Sequence, residues 1–250
     1  MFEWNPDKIR FLEEASVYRP FNRVLAEHAA SVFSASDHIL DAGCGIGFLS
    51  IELAGICRQV TAADRSEEAL DVLRRKKTQR DIQNIRILNT DVFTLSEDEQ
   101  FDGAVFCFFG TVPEILSMIR NHVRRYTVLF KKNWTRHRFS ASRAPMERFS
   151  FSEACRELEM AGVPYWSETF GLEMGQPFHT LEDARKFFAV HDRDGTGKDI
   201  SDQDLTDRLI STGEEIYPYY LSSQESVGMI VLETGRIPET ITPFQKEETK

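Results

Sequence analysis

Three glycines at alternate positions, Gly43, Gly45 and Gly47, lie between an apolar run that ends at Asp41 and Ala42 and a second apolar run that opens at Phe48. This reads as a strand, a sharp turn and a helix. Glycine is needed there because the backbone must reverse tightly and let a ligand approach with no Cβ in the way. The helix beyond offers free N–H groups and the positive end of its dipole to an anionic group.

From residue 38 onward strand and helix alternate. Strands are predicted at 38–42, 59–63, 85–89, 104–109 and 127–130, and helices at 48–56, 67–77 and 112–124. Ser66 is placed to cap the second helix, with Glu67 and Glu68 in the dipole-favoured first turn. Thr111-Val-Pro-Glu114 and Ser150-Phe-Ser-Glu153 both fit a capping box. The second box opens a helix with an apolar face of Phe151, Ala154, Cys155, Leu158 and Ala161, ended by Gly162 and Pro164. Such alternation implies right-handed βαβ units and a parallel sheet.

The ends of the chain break this rhythm. Residues 1–37 read as a helical cap, with Phe21, Val24, Leu25, Ala29, Val32 and Phe33 at helical spacing. After residue 164 an extended stretch at 165–172 is followed by predicted helices at 181–190 and 202–216 and a final strand at 227–233. The expected layout is a single α/β domain over 1–250, with a doubly wound, mostly parallel sheet and an antiparallel last strand. Its parts are the cap (1–37), a core (38–131), a C-terminal half (132–237) with a lid-like helical insertion at about 174–222, and a polar tail (238–250).

Composition narrows the partners. A formal net charge of −10 argues against a polyanion such as nucleic acid. No stretch approaches the ~18 apolar residues that span a bilayer, so no membrane partner is expected. Cys44, Cys57, Cys107 and Cys155 contain no CxxC pair, and the six histidines show no metal-ligand spacing, so no metal is expected. Free thiols and a polar N-terminus without an apolar signal core fit the cytoplasm. Lys131, Lys132, Arg136, Arg138, Arg143 and Arg148 read as a solvated basic loop. The Asp192–Gly197 stretch mimics the opening of a calcium loop but fails at Asp199 and Gln203, and reads as a polar turn. His137, His179 and His191 are the available bases in the accessory regions, and none stands out.

Two cofactor classes use a glycine loop of this kind. The dinucleotide fingerprint, Gly-x-Gly-x-x-Gly, would need glycine at position 48, where Phe48 stands. Asp41 would also sit badly beside a pyrophosphate, whereas a ligand with an ammonium group would suit it. This disfavours a nicotinamide dehydrogenase. Asp41-Ala-Gly-Cys-Gly-Ile-Gly47 instead resembles the first motif of the class I S-adenosylmethionine-dependent methyltransferases, which have a Rossmann-like fold. The resemblance continues over roughly 38–131. It implies that Asp41, Gly43, Gly45 and Gly47 form the cofactor loop, that Asp64 binds the ribose hydroxyls, and that Arg65 flanks the adenine. One carboxylate can accept from both vicinal hydroxyls in charge-assisted bonds. It further implies that Asp91 reaches the adenine amino group, that the Val92 N–H faces a ring nitrogen, and that carbonyls around Cys107 and Phe108 accept from the methionine ammonium. Tyr18 in the cap is assigned to the cofactor carboxylate.

The activity so implied is in-line transfer of a methyl group to a small-molecule acceptor. Positioning can supply on the order of 7–11 kcal/mol in favourable intramolecular cases. A dedicated base is optional for a thiolate, amine or phenolate acceptor, and no catalytic residue is singled out. The segment after the fourth strand, Cys107-Phe-Phe-Gly110, lacks the Asn/Asp-Pro-Pro-Tyr sequence of amino-methylating enzymes. The alternative reading is a non-catalytic S-adenosylmethionine-binding sensor or partner protein. The sequence leaves the acceptor and the oligomeric state open.

Overall fold

A computed structural model describes residues 4–134, 139, 150–191 and 200–239. The first half contains α1 (Pro6–Tyr18), α2 (Phe21–Ala29), β1 (His38–Ala42), α3 (Phe48–Ala54), β2 (Gln59–Asp64), α4 (Glu67–Gln79), β3 (Ile85–Asn89), β4 (Phe101–Cys107), α5 (Val112–His122) and β5 (Val123–Lys132). There follow α6 (Phe151–Met160), β6 (Tyr165–Glu173), β7 (Gln176–Phe178), α7 (Leu181–Val190), α8 (Asp202–Arg208), β8 (Ile210–Ser211), β9 (Tyr219–Leu221) and β10 (Gln224–Glu233).

Local chemistry explains where the helices begin. Asn5 caps α1 by accepting from the Lys8 N–H at 2.9 Å, with proline in the first turn. Ser66 caps α4 through the Ala69 N–H at 3.2 Å. At α5 the capping box is complete: Thr111 Oγ1 accepts from the Glu114 N–H, and Glu114 accepts from the Thr111 N–H at 2.9 Å. Ser150 makes the corresponding bond at α6, accepting from the Glu153 N–H at 3.2 Å.

Seven strands form one sheet in the order β3-β2-β1-β4-β5-β10-β6. β1 to β5 pair in parallel, and β10 runs antiparallel to β5. The fold is therefore α/β and doubly wound with an antiparallel strand late in the chain, as the alternation predicts. The inner strands are buried along nearly their whole length, which is why they read as continuous apolar runs. Strand order reverses between β1 and β4, so the crevice beyond their carboxyl ends is the switch point at which open α/β sheets bind ligands.

The 174–222 region departs from the expected helical insertion. Besides α7 and α8 it carries a three-stranded antiparallel sheet, β7-β9-β8. The helix predicted to reach residue 216 stops at Arg208, and Leu209 turns extended at φ −95°, ψ 140°. Gly213 at φ +75° then supplies the turn between two stretches rich in β-branched and aromatic residues. β5 also begins four residues earlier than predicted, at Val123.

The chain divides into two compact units. Among the described residues, one takes in those within Arg23–Asn133, Arg148–Phe170 and Val227–Lys250, and the other those within Met1–Asn22, Trp134–Glu147 and Gly171–Ser226. The first is built on a core that includes Leu40, Phe106, Ile115, Leu129 and Ile230. The second packs Phe11, Phe178, Phe187, Phe188 and Leu221, with the Phe11 and Phe187 rings edge-to-face at 5.0 Å. The stretch Asp192–Gly197 that reads as a turn, residues 135–149 of the basic segment except Phe139, and residues 240–250 of the expected tail lie outside the described residues.

Candidate cofactor site

The glycine loop leaves β1 through three left-handed residues, Gly43, Gly45 and Gly47, at φ +68°, +54° and +76°. Conformation alone demands glycine here. Space demands it as well at two of them. A Cβ on Gly43 would lie 2.6 Å from the Phe109 ring, and one on Gly47 would lie 2.5 Å from Leu73 Cδ1. The loop is tied to the end of β2, because the N–H groups of Gly43 and Cys44 both donate to the Ala63 carbonyl, at 2.9 and 3.0 Å.

Three carboxylates surround the loop. Asp41 is almost fully buried and accepts a 2.5 Å hydrogen bond from the Ser50 hydroxyl. Burial pushes its carboxyl up to about 7 and nearby Asp64 adds to the rise, while the Ser50 bond pulls it down. Asp64 closes β2 and takes one backbone N–H on each oxygen: Gly45 at 2.8 Å and Ser66 at 2.9 Å. A carboxylate has about four lone-pair positions, so this anchored group still has acceptor capacity. Asp91 accepts from the Phe93 N–H at 3.1 Å, capping a 3-10 turn over Val92–Thr94, and from Arg65 Nη1 at 3.0 Å. Asp64, Arg65, Asp91 and Val92 thus stand on adjacent segments after β2 and β3, which pair in register at Asp64 and Asn89.

The end of β4 completes the set. Ala42 pairs with Phe106, which brings Cys107 and Phe108 beside the start of the glycine loop. Cys107 is partly covered, and its thiol is pushed well above the usual range by burial, with Asp41 contributing. Phe108 has φ +53°, an uncommon conformation for a bulky side chain, and its N–H donates to the Phe130 carbonyl at 2.9 Å. Gly110 is also left-handed, at φ +71°. Between them the Phe109 ring stacks on Phe93 at 5.5 Å and Phe106 at 6.4 Å.

Sequence reasoning did not find two members of this arrangement. Ser50 and Lys131 sit inside an apolar run or beside a charged one, where nothing in the spacing sets them apart. Lys131 corrects the expectation of a solvated basic loop from residue 131, because it is only 2% exposed. Its ammonium donates to the Gly110 carbonyl at 2.7 Å and to the Phe109 carbonyl at 3.3 Å. Tyr18 belongs to the other unit. There it ends α1, donates to Glu214 Oε1 at 2.9 Å and packs on Tyr217 and Tyr220.

The same segment that carries this geometry, residues 39–127, matches a family model described as a methyltransferase domain. Residues 39–127 therefore carry the sequence of a methyltransferase domain. S-adenosylmethionine is the cofactor of that family. The chain is 26% identical over 117 residues to a ribosomal RNA small subunit methyltransferase A from Desulforapulum autotrophicum, covering 44% of this chain and 41% of the relative. It is 36% identical over 86 residues to a ubiquinone biosynthesis O-methyltransferase from Coxiella burnetii, covering 34% of this chain and 36% of the relative. The chain spans well under half the length of these curated relatives.

Solved structures agree on the fold. The YcgJ protein of Bacillus subtilis superposes with a TM-score of 0.53 at 12% identity, covering 85% of this chain and 97% of that one. A protein from Bacillus halodurans gives 0.53 at 14% identity, with 85% and 98% coverage. The residues present are compatible with such a cofactor. Gly43 and Gly47 have no room for a Cβ against Phe109 and Leu73, and Asp41 is a buried carboxyl whose rise in pKa a neighbouring cation would oppose. The Asp64 carboxylate is fixed in place with acceptor capacity to spare.

Proposed function

We propose that this protein is a methyltransferase that binds S-adenosylmethionine through the residues around the glycine loop and passes the methyl group in line to a small-molecule acceptor. The observation that carries the reading is the double anchoring of Asp64 by the N–H groups of Gly45 and Ser66. It joins the loop after β1 to the end of β2 through one carboxylate, at the switch point of the sheet.

When bound, S-adenosylmethionine supplies an electrophilic methyl on a sulfonium, so the chain's task is to bind, orient and exclude water. Asp64 is the acceptor for the two ribose hydroxyls. Asp91, the Val92 N–H and Arg65 attend the adenine. Asp41 and the carbonyls around Cys107 and Phe108 attend the methionine ammonium. With the nucleophile held in line, no group need move a proton in the transfer step for a thiolate, amine or phenolate acceptor.

A small acceptor is supported by the net charge of −10 and by Cys107-Phe-Phe-Gly110 in place of an amino-methylating motif. A ubiquinone biosynthesis O-methyltransferase and a ribosomal RNA enzyme are both relatives by name, which makes RNA the acceptor to test against. No described helix is long and apolar enough to cross a membrane. The four cysteines are free, which fits a reducing compartment.

The test is calorimetric titration of S-adenosylmethionine and S-adenosylhomocysteine into wild type, Asp64→Ala and Asp64→Asn. Micromolar binding to wild type, weakened tenfold or more by either substitution, is expected. Well-folded wild type that binds neither ligand would overturn the reading. Binding without methyl transfer to phenol, amine, thiol or RNA panels would favour the sensor alternative.

A further inference from the structure

We propose that Lys131 is a positioning residue for the cofactor site, clamping the turn after β4 so that Phe109 closes over the glycine loop. The inference rests on the reading of that site as the cofactor's.

The argument begins with where Lys131 sits. It stands near the end of β5, with Phe130 paired to Cys107, and is buried. An ammonium removed from water is costly unless its donors are matched. Among the described residues no carboxylate lies within ion-pair distance, and its partners are the carbonyls of Phe109 and Gly110. Those carbonyls lie beyond the β4 ladder and before α5, so neither element satisfies them. The lysine is therefore matched to one turn, and the turn to the lysine.

That turn is unusual in a way that needs a clamp. Phe108 and Gly110 both have positive φ, and a phenylalanine there is strained. Strain of this kind persists only where the surroundings hold it. The consequence of holding it is the placement of Phe109. Its ring packs against Gly43, 2.6 Å from where a Cβ would stand, and stacks on Phe93, next to Val92. Lys131 thus connects β5 to the glycine loop, to the segment after β3 and to the mouth of β4, all three of which the cofactor reading uses. The acidic groups that bear on Lys131 from its neighbours are Glu114 of α5 and Glu153 and Glu157 of α6, with the Cys107 thiol of β4 nearby. They favour the ammonium, while burial favours the neutral amine and prevails.

The experiment compares wild type, Lys131→Met and Lys131→Arg by amide hydrogen exchange at residues 108–111 without ligand and by S-adenosylhomocysteine titration from pH 6.5 to 9.5. Lys131→Met should lose protection at 108–111 at least tenfold while β1 and β2 keep theirs, and should bind S-adenosylhomocysteine at least tenfold more weakly at pH 7. Lys131→Arg, which keeps the charge and donors, should recover part of both losses. Wild-type affinity should also fall across the upper half of the pH range more steeply than that of Lys131→Met, because the ligand's own titration is common to the two. Unchanged exchange at 108–111 in Lys131→Met would overturn the clamp whether or not the ligand binds. Lost protection with affinity within twofold would overturn its role in the cofactor site. Should Lys131→Met fail to fold, the same measurements on Lys131→Gln decide in the same way. Wild type that binds no ligand counts against the cofactor reading alone, since the exchange result still judges the clamp.

Discussion

Asp41 is 1% exposed, and its carboxyl titrates near 7 because it is out of water. The folded-state value lies above the ordinary carboxylate value, so between about pH 4 and 7 the folded protein holds a proton that the unfolded chain releases. The stabilisation is complete below the unfolded value and is lost as pH rises through about 7. Asp41→Asn keeps an acceptor for the Ser50 hydroxyl but cannot ionise. In the absence of ligand it should be more stable than wild type at pH 8, by on the order of 3–4 kcal/mol, with little difference at pH 4. The same substitution should weaken S-adenosylmethionine binding. Melting curves at the two pH values, with titrations alongside, check both halves. Equal stability of the two proteins at pH 8 would mean that the carboxylate is better compensated than its burial implies. Asp64 acts through its bonds instead, since each of its oxygens takes a backbone N–H group.

At the scale of elements, caps and turns decide where the site residues fall. α5 begins at a complete capping box one residue after the left-handed Gly110, so its N-terminus fixes one end of the turn that Lys131 holds at the other. Thr111→Ala removes the side-chain acceptor for the Glu114 N–H and should cost about 1 kcal/mol in urea unfolding. A loss below a few tenths of a kcal/mol would mean that solvent replaces the box at no cost. The capping box, the Ser66 cap and the apolar strands were all readable in the sequence, because each depends on residues within four positions of one another. The helix expected to run to residue 216 was not. Its first turns have ordinary helical composition, and the switch to a strand depends on β8 finding β9 eight or more residues later. Propensity yields to such pairing when a partner strand is present.

Over the whole molecule, two cores divide the chain, and the N-terminal helix contributes to the smaller one. Phe11 is 1% exposed there and touches Phe178 and Phe187 edge-to-face. Phe11→Ala should destabilise that unit by about 3–5 kcal/mol. Amide exchange is expected to quicken over α1 and α7, with β1, β2, β4 and β5 changing much less. Uniform acceleration across both units would show instead that the chain opens as one cooperative body.

The sequence by itself determined the class of fold, the glycine loop, the alternation of strands with helices and the acids at the strand ends. These are local patterns, set by the periods of strand and helix and by the steric demand for glycine at positive φ. Only the tertiary structure decided that Ser50 meets Asp41, that Phe109 lies over Gly43, that Lys131 is buried against two carbonyls, and that the 174–222 region folds partly as a sheet. Each of these joins residues distant in the chain or turns a side chain inward by packing. A lysine after four β-sheet residues reads as a surface charge until the turn it satisfies comes from 21 residues away.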